Sequence, residues 1–292
     1  MIKIGRTVIM KKLLASLLAL TISLGMTACG QGNQPASSAA GADESLNKVE
    51  KAGTLVVGLD DAFPPMGYKD TKTGELIGFD IDLAKEACKR LGVELKLQPI
   101  DWSNKQAELD NGNVDCLWNG FSKTPERAEA MALSIPYMSN NQIILVKTES
   151  AYKTLKDLSG RVIGVQSDSS AEAALNAVEN KEFKSSLKQV VQIDDYTKAI
   201  LEIQNGTIDA ISIDEVVARF YLKNQPGSFR ILENGGTAIS LASEDYVVGM
   251  RKNDLALKDK IDETLHAMAK DGTMKTISEK WFGEDVTTVD VK

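Results

Sequence analysis

The chain has 292 residues, 34 basic and 41 acidic, for a formal charge of −7, with one histidine and three cysteines. A surplus of acid disfavours nucleic acid as a partner, because the phosphate backbone is bound through lysine and arginine. With His266 alone in a helical-looking segment, neither a histidine triad nor a multi-histidine metal site can be built, and no metal or other cofactor is expected; an enzyme would have to work with carboxylates, lysines or hydroxyls.

Lys11 and Lys12 precede an apolar run from Leu13 to Leu24, which breaks into Gly25-Met26-Thr27-Ala28-Cys29-Gly30. Positive residues, a short apolar core and a small-residue end are the layout of an export signal, residues 1–28. Spanning a bilayer takes about 20 apolar residues for roughly 30 Å of hydrocarbon, and this run is shorter and gives way to polar side chains. Residues 26–29 resemble a bacterial lipobox, whose cysteine becomes the lipidated first residue of the mature chain. Thr27, Ala28 and Cys29 fit, while Met26 stands where leucine is usual. That resemblance implies a palmitate-type diacylglyceryl anchor on Cys29 and a location on the extracytoplasmic face of the cell membrane. Met10 is an alternative start, since residues 10–29 already form a complete signal. Loss of residues 1–28 removes Lys3, Arg6, Lys11 and Lys12 and no acid, which takes the formal charge from −7 to −11. Residues 29–45 hold no aliphatic side chain larger than alanine and read as a flexible tether.

From Val49 onward, short β-rich runs alternate with amphipathic helical stretches, the pattern of α/β layers around mainly parallel sheets. Leu55-Val56-Val57-Gly58 is a strand. Ile81, Ala84, Cys88 and Leu91 mark one apolar helix face that stops at Gly92. Val93, Leu95 and Leu97 follow as the next strand. Cys88 and Cys116 both sit inside apolar patterns, where a free cysteine acts as a small buried hydrophobe.

An internal repeat is the most informative feature: Leu97–Gly120 aligns without gaps on Val191–Asp214. Gln98, Asp101, Glu108, Asn111, Gly112 and Asp115 recur as Gln192, Asp195, Glu202, Asn205, Gly206 and Asp209. Trp102 maps to Tyr196, Leu109 to Ile203 and Val114 to Ile208, so core positions recur with the polar ones. Each copy reads strand, helix, Asn-Gly turn, strand, which predicts two similar lobes. Ligands of open α/β sheets bind beyond the carboxyl ends of strands. The copies end at Gly120 and Asp214, which two facing lobes would set on opposite walls of one cleft.

Other strand ends add polar or aromatic groups: Asp60, Asp61 and Phe63 after the first strand, and Trp102 further on. The segment Gln166-Ser167-Asp168-Ser169-Ser170 precedes the helical Ala171 to Val178, and a hydroxyl-rich helix start offers free N–H groups to a carboxylate. Ser169 or Ser170 can equally cap that helix. Gly120 to Arg127 opens another helix, with Thr124 as N-cap and Pro125 in the first turn. Gly120 and Ser122 stand just ahead of it, and Gly120 allows close backbone approach. Arg127 carries a planar fork of donors suited to a carboxylate. Asp214 can cap the helix that begins near Glu215.

These residues carry a resemblance. Gly78-Phe79-Asp80-Ile81-Asp82-Leu83 with Ala87-Cys88 and Leu91, the stretch from Asp60 to Pro65, Thr124-Pro125-Glu126-Arg127, Ile135-Pro136-Tyr137, Ile208-Asp209-Ala210 and Lys280-Trp281-Phe282-Gly283 resemble the family 3 solute-binding proteins that serve ABC importers of polar amino acids. The resemblance implies an α/β, two-lobed periplasmic-binding-protein-like (type II) fold, a monomer, and as partners a free amino acid and the permease subunits. It implies hinges near Tyr137–Asn141 and Leu241–Tyr246, with residues 46–139 and 244–292 in the first lobe and 140–243 in the second. It further implies that Arg127 binds the ligand carboxylate with Ser170 and the neighbouring Ser169, and that Asp214 takes the ammonium. Gly120 and Ser122 would add hydrogen bonds, Phe63 and Trp102 would flank the side chain, Asp60 would meet its polar end, and Gln166 would stand at a variable position. Asp60, with Asp61 beside it, is left without a partner by a zwitterion, which favours arginine, lysine, histidine or glutamine, with cystine also compatible. Two alternatives stand beside this reading: a cyclohexadienyl dehydratase-like enzyme using Asp60 or Asp61 as general acid, and a ligand sensor for a membrane receptor.

Overall fold

The computed structural model describes residues 43–290; the export signal, Cys29 and most of the expected tether lie outside them. The folded part begins before residue 46. Helix Ser45–Ala52 starts at a buried Ser45, whose hydroxyl accepts from Leu257 N–H at 3.1 Å.

Eight strands organise the site: β1 Thr54–Leu59, β2 Glu94–Pro99, β3 Cys116–Ser122, β4 Met138–Lys147, β5 Val162–Gln166, β6 Gln189–Ile193, β7 Ala210–Asp214 and β8 Ser240–Arg251. They run in the order β6-β5-β7-β4-β8-β3-β1-β2 within a 10-stranded sheet. β1 lies parallel to β2 and β3, and β5 lies parallel to β6 and β7. The long strands β4 and β8 pair antiparallel between these two parallel halves, with Asn140 opposite Glu244 and Met138 opposite Tyr246. Parallel neighbours need helical crossovers, and the 3.6-residue periodicity of the intervening segments supplies them.

The helix read from Ile81, Ala84, Cys88 and Leu91 spans Phe79–Leu91 and buries that face. It ends at Gly92, whose φ of 74° is the left-handed conformation a helix stop uses. The helix expected over Ala171 to Val178 is shorter, Ser170–Asn176, because Ala177 turns to an extended ψ of 149° and leaves Val178 83% exposed. Cys88 and Cys116 are buried free thiols, and burial pushes the Cys88 pKa up to about 11.

The repeat is structural. Asp101 and Asp195 cap the two helices, accepting from Ser103 and Lys198 N–H. Asp115 accepts from Val56 N–H of β1 at 2.9 Å, and Asp209 accepts from Val162 N–H of β5 at the same 2.9 Å. In each half the same acid, just ahead of the last strand of the repeat, therefore ties to the strand that lies beside that one in the sheet. Leu109, Val114, Ile203 and Ile208 are buried, as are Trp102 and Tyr196.

The last helices, Leu255–Lys270 and Thr273–Phe282, pack on the half built by β1 to β3. Lys280 and the Trp281 indole N–H both donate to Asp82 Oδ2, at 2.6 and 2.8 Å, so two motif segments almost 200 residues apart meet.

Candidate functional site

Side chains of alternate residues on a strand share a face. Asn140 and Gln142 on β4, with Glu244 and Tyr246 on β8, thus form one polar floor where the halves of the sheet join. Asp214, at the end of β7, lands on it. Its Oδ1 accepts from Asn140, Gln142 and Tyr246, each at 2.8 Å, and its Oδ2 from the Tyr196 hydroxyl at 3.2 Å. Burial, and next the charge of Glu244, raise the Asp214 pKa well above the carboxylate range. Asp214 does not cap the following helix with its side chain; the floor occupies Oδ1, while Oδ2 keeps acceptor capacity beyond the Tyr196 bond.

Ser122 ends β3 and Ser170 opens a helix in the other half, yet their hydroxyls lie 2.9 Å apart. Both reach Glu244 Oε1, Ser122 at 2.6 Å and Ser170 at 3.3 Å. Arg127 stands beside them on the short helix Pro125–Ala130, capped by Thr124 as the sequence predicts. Its guanidinium lies 4.2 Å above the Phe121 ring and donates to the Ser122 carbonyl at 2.8 Å. Burial pulls its pKa down. Of the two serines that open the next helix, Ser169 is the cap: it accepts from Glu172 N–H and donates to the Gln166 carbonyl, which leaves its hydroxyl one acceptor lone pair and no free donor.

Asp60, 6% exposed, accepts from Ala62 N–H at 2.8 Å and from the Gln166 side chain at 2.6 Å. Burial lifts its pKa to about 6. Gln166 thereby joins β5 to the end of β1. Phe63 packs on Tyr196 with ring centroids 5.7 Å apart, and Trp102 meets Phe121 edge-on at 5.9 Å. Gly120 has φ 55°, and a Cβ there would come within 2.6 Å of Phe63, so only glycine fits. Its N–H donates to Asp80 Oδ2 at 2.6 Å, and Tyr137 donates to the same oxygen at 2.9 Å. Asp80 of the Gly78–Leu83 motif thus fixes the backbone of the site from behind, at the cost of a carboxyl whose burial raises its pKa to about 7.

Lys105, 3% exposed, crosses to the other half. Its ammonium binds the Asp168 carboxylate and, at 2.7 Å, the Asp168 carbonyl, and it lies 5.4 Å over the Trp102 ring. Asp168 takes a left-handed φ of 56°, uncommon for a residue with a Cβ, to present both oxygens. A cavity of about 310 Å³ opens here, lined by Lys105, Thr124, Arg127, Asp168, Ser169 and Ser170.

The structure places the ten residues singled out from the sequence around this join, with Ser169 both capping its helix and lining the cavity. Sequence reasoning missed Asn140, Gln142, Glu244, Tyr246 and the Lys105–Asp168 pair. Tyr196 was foreshadowed by its repeat mate Trp102. The floor residues had only the every-second-residue polar pattern within the expected crossings to betray them.

Among the described residues, Asp60, Asp214, Glu244 and Arg127 form no ion pair; their partners are amides, hydroxyls and backbone groups. A buried charge without a direct ion-pair partner is costly, and the raised pKa values of Asp60 and Asp214 are the mark of that cost.

Two parallel half-sheets joined by two long crossing strands, with the polar floor at the join, make the fold one of the periplasmic-binding-protein type. The chain belongs to the bacterial extracellular solute-binding proteins of family 3, whose model matches residues 55–284. It is 32% identical to the L-cystine-binding protein TcyJ of Escherichia coli (strain K12), over 84% of this chain and 89% of that one. It is 29% identical to the arginine-binding extracellular protein ArtP of Bacillus subtilis (strain 168), over 94% and 98%. Among solved structures, an ABC uptake transporter substrate-binding protein from Streptococcus pneumoniae with bound histidine is 36% identical and superimposes with a TM-score of 0.79, over 85% of this chain and 99% of that one. Family and relatives are binding proteins.

Proposed function

We propose that this chain binds a free amino acid, polar or basic, between its two lobes and delivers it to an ABC importer. One observation carries the reading: Arg127 and Asp214 stand around the same Ser122–Ser170–Glu244 network without a direct ion pair between them. An α-amino acid brings a carboxylate for Arg127 and the Ser170 hydroxyl, and an ammonium for Asp214. Asp60 then remains for a side chain that is cationic or donates hydrogen bonds, between Phe63 and Trp102. Gly120 and Ser122 add bonds from the first lobe, and Gln166 from the second. Residues 46–139 with 244–292 form one lobe and 140–243 the other, hinged where β4 and β8 cross. The ligand bridges both, which favours closure by its differential contacts with the closed state. A micromolar dissociation constant corresponds to about 8 kcal/mol, within reach of a few charge-assisted bonds after ordering costs.

Cys29, lipidated, would hold the protein as a monomer on the extracytoplasmic face beside its permease. Two acyl chains suffice for stable anchoring where one does not.

A thermal-shift screen against the twenty amino acids, cystine and ornithine tests the reading. A polar or basic member should raise the melting temperature, since a hundredfold excess over Kd contributes about 2.7 kcal/mol. A response confined to acidic or purely aliphatic members contradicts it.

A further inference from the structure

Glu244 lies on the crossing strand β8, opposite Asn140, and its role does not follow from a site with one ammonium acid. All four of its side-chain hydrogen bonds fall on Oε1: from Ser122 at 2.6 Å, Gln142 at 2.7 Å, Asn140 at 3.0 Å and Ser170 at 3.3 Å. The same two amides also donate to Asp214 Oδ1. A primary amide has two N–H groups; Asn140 directs both to the two carboxylates, and Gln142 reaches the same two carboxylates and, at 3.1 Å, the Ser170 hydroxyl, which holds the acids side by side. Every hydrogen-bond donor in the arrangement is neutral; among the described residues no lysine or arginine lies within ion-pair distance of either acid, and Arg127, the cation that acts on both from further away, is turned to the Ser122 carbonyl. Neighbouring anions in a buried setting repel one another and call for a cation. The network also lacks a donor of its own, since the fully buried Gln142 Oε1 has no partner.

We propose that Glu244 is the second acid of the ammonium subsite, holding the α-ammonium of the ligand jointly with Asp214; this rests on the amino-acid reading above. An ammonium supplies one positive charge and three N–H donors, which suits two carboxylates set by a common pair of amides. Because Ser122 and Ser170 come from opposite lobes and both meet Glu244, the ammonium is bound where both lobes are in touch with it. A neutral group at the same position would leave the pair uncompensated, so Glu244 selects amino acids over their uncharged analogues.

The test is a calorimetric comparison of wild type with Glu244→Gln and Glu244→Asp. The probes are L-arginine, L-glutamine and L-cystine, each beside its 2-hydroxy analogue, in which a hydroxyl replaces the α-ammonium. Glu244→Gln should weaken the amino acid that saturates wild type by about tenfold or more, while the hydroxy analogue changes by less than about threefold. Glu244→Asp, which keeps the charge, should recover part of the lost discrimination. Equal losses for amino acid and analogue would overturn the proposal and leave Glu244 as a tie between lobes. If Glu244→Gln fails to fold, Glu244→Asp decides alone: a carboxylate drawn back by one methylene should weaken the amino acid more than its hydroxy analogue, and equal losses for the two, or none for either, contradict the proposal. Wild type that answers to none of the twenty amino acids, cystine or ornithine in the thermal-shift screen would overturn the amino-acid reading itself, a distinct result.

Discussion

Arg127 is a half-buried guanidinium stacked on Phe121 with one donor spent on a backbone carbonyl. The remaining donors give it the planar fork that a carboxylate fits. Arg127→Ala should abolish the ligand-induced melting shift while leaving the melting temperature of the empty protein within a few degrees; an intact shift would refute its assignment to the carboxylate. Asp60, Asp80 and Asp214 all have pKa values raised by burial. An acid whose pKa is higher folded than unfolded contributes stability that is full below its unfolded value and is lost as pH rises through the folded one. The empty protein should therefore lose stability from these groups between about pH 4 and 7. Asp80→Asn, which mimics the protonated carboxyl and keeps an acceptor for Gly120 and Tyr137, should flatten part of that decline in melting temperature. Ligand affinity should run the other way. An ammonium favours ionised Asp214, so binding releases protons and tightens as pH rises from 5 toward 7.5; affinity that falls over this range contradicts the ammonium assignment.

Helix starts deliver most of the site. Thr124 and Ser169 each satisfy a first-turn N–H, and Ser169→Ala should cost about 1 kcal/mol of stability, read from denaturant midpoints, with little change in ligand affinity beyond that. A large loss of affinity at unchanged stability would mean that Ser169 meets the ligand after all. The sequence was legible at this scale where a local rule sufficed. Periodicity placed Phe79–Leu91, its glycine stop and the capped Pro125–Ala130 helix. The gapless repeat paired Asp115 with Asp209, and the structure gives the two the same tie to a strand. What stayed hidden depends on pairing between distant strands. Nothing in Asn140-Asn141-Gln142 or Ser243-Glu244-Asp245 says that β4 and β8 stand in the register that gathers Asn140, Gln142 and Glu244 around Asp214. The cross-lobe pair of Lys105 and Asp168 escaped for the same reason: a lysine in a helical stretch reads as solvated until the fold buries it.

Across the whole molecule, the halves meet through Lys105–Asp168, Asp60–Gln166, Ser122–Ser170 and an edge contact of Tyr68 with Phe220 at 5.4 Å. Lys105 is held by burial and by Arg127 at a pKa of about 8, below its ordinary value, so its hold on Asp168 weakens at alkaline pH. Lys105→Met should favour the open form and weaken ligand binding by about tenfold, chiefly through faster release. Unchanged release would show that the pair contributes nothing to closure. Cys29→Ala should free the protein from membranes with ligand affinity intact; retention on membranes would place the anchor elsewhere.

The central claim is that one zwitterion bridges Arg127 and Asp214. Isothermal titration of wild type with L-arginine, L-glutamine and L-cystine, each beside its carboxamide, tests it most directly. The account predicts saturable one-to-one binding of at least one free amino acid and loss of about a hundredfold or more when its carboxylate is amidated. Equal affinity for acid and amide, or no binding of any free amino acid, would contradict it.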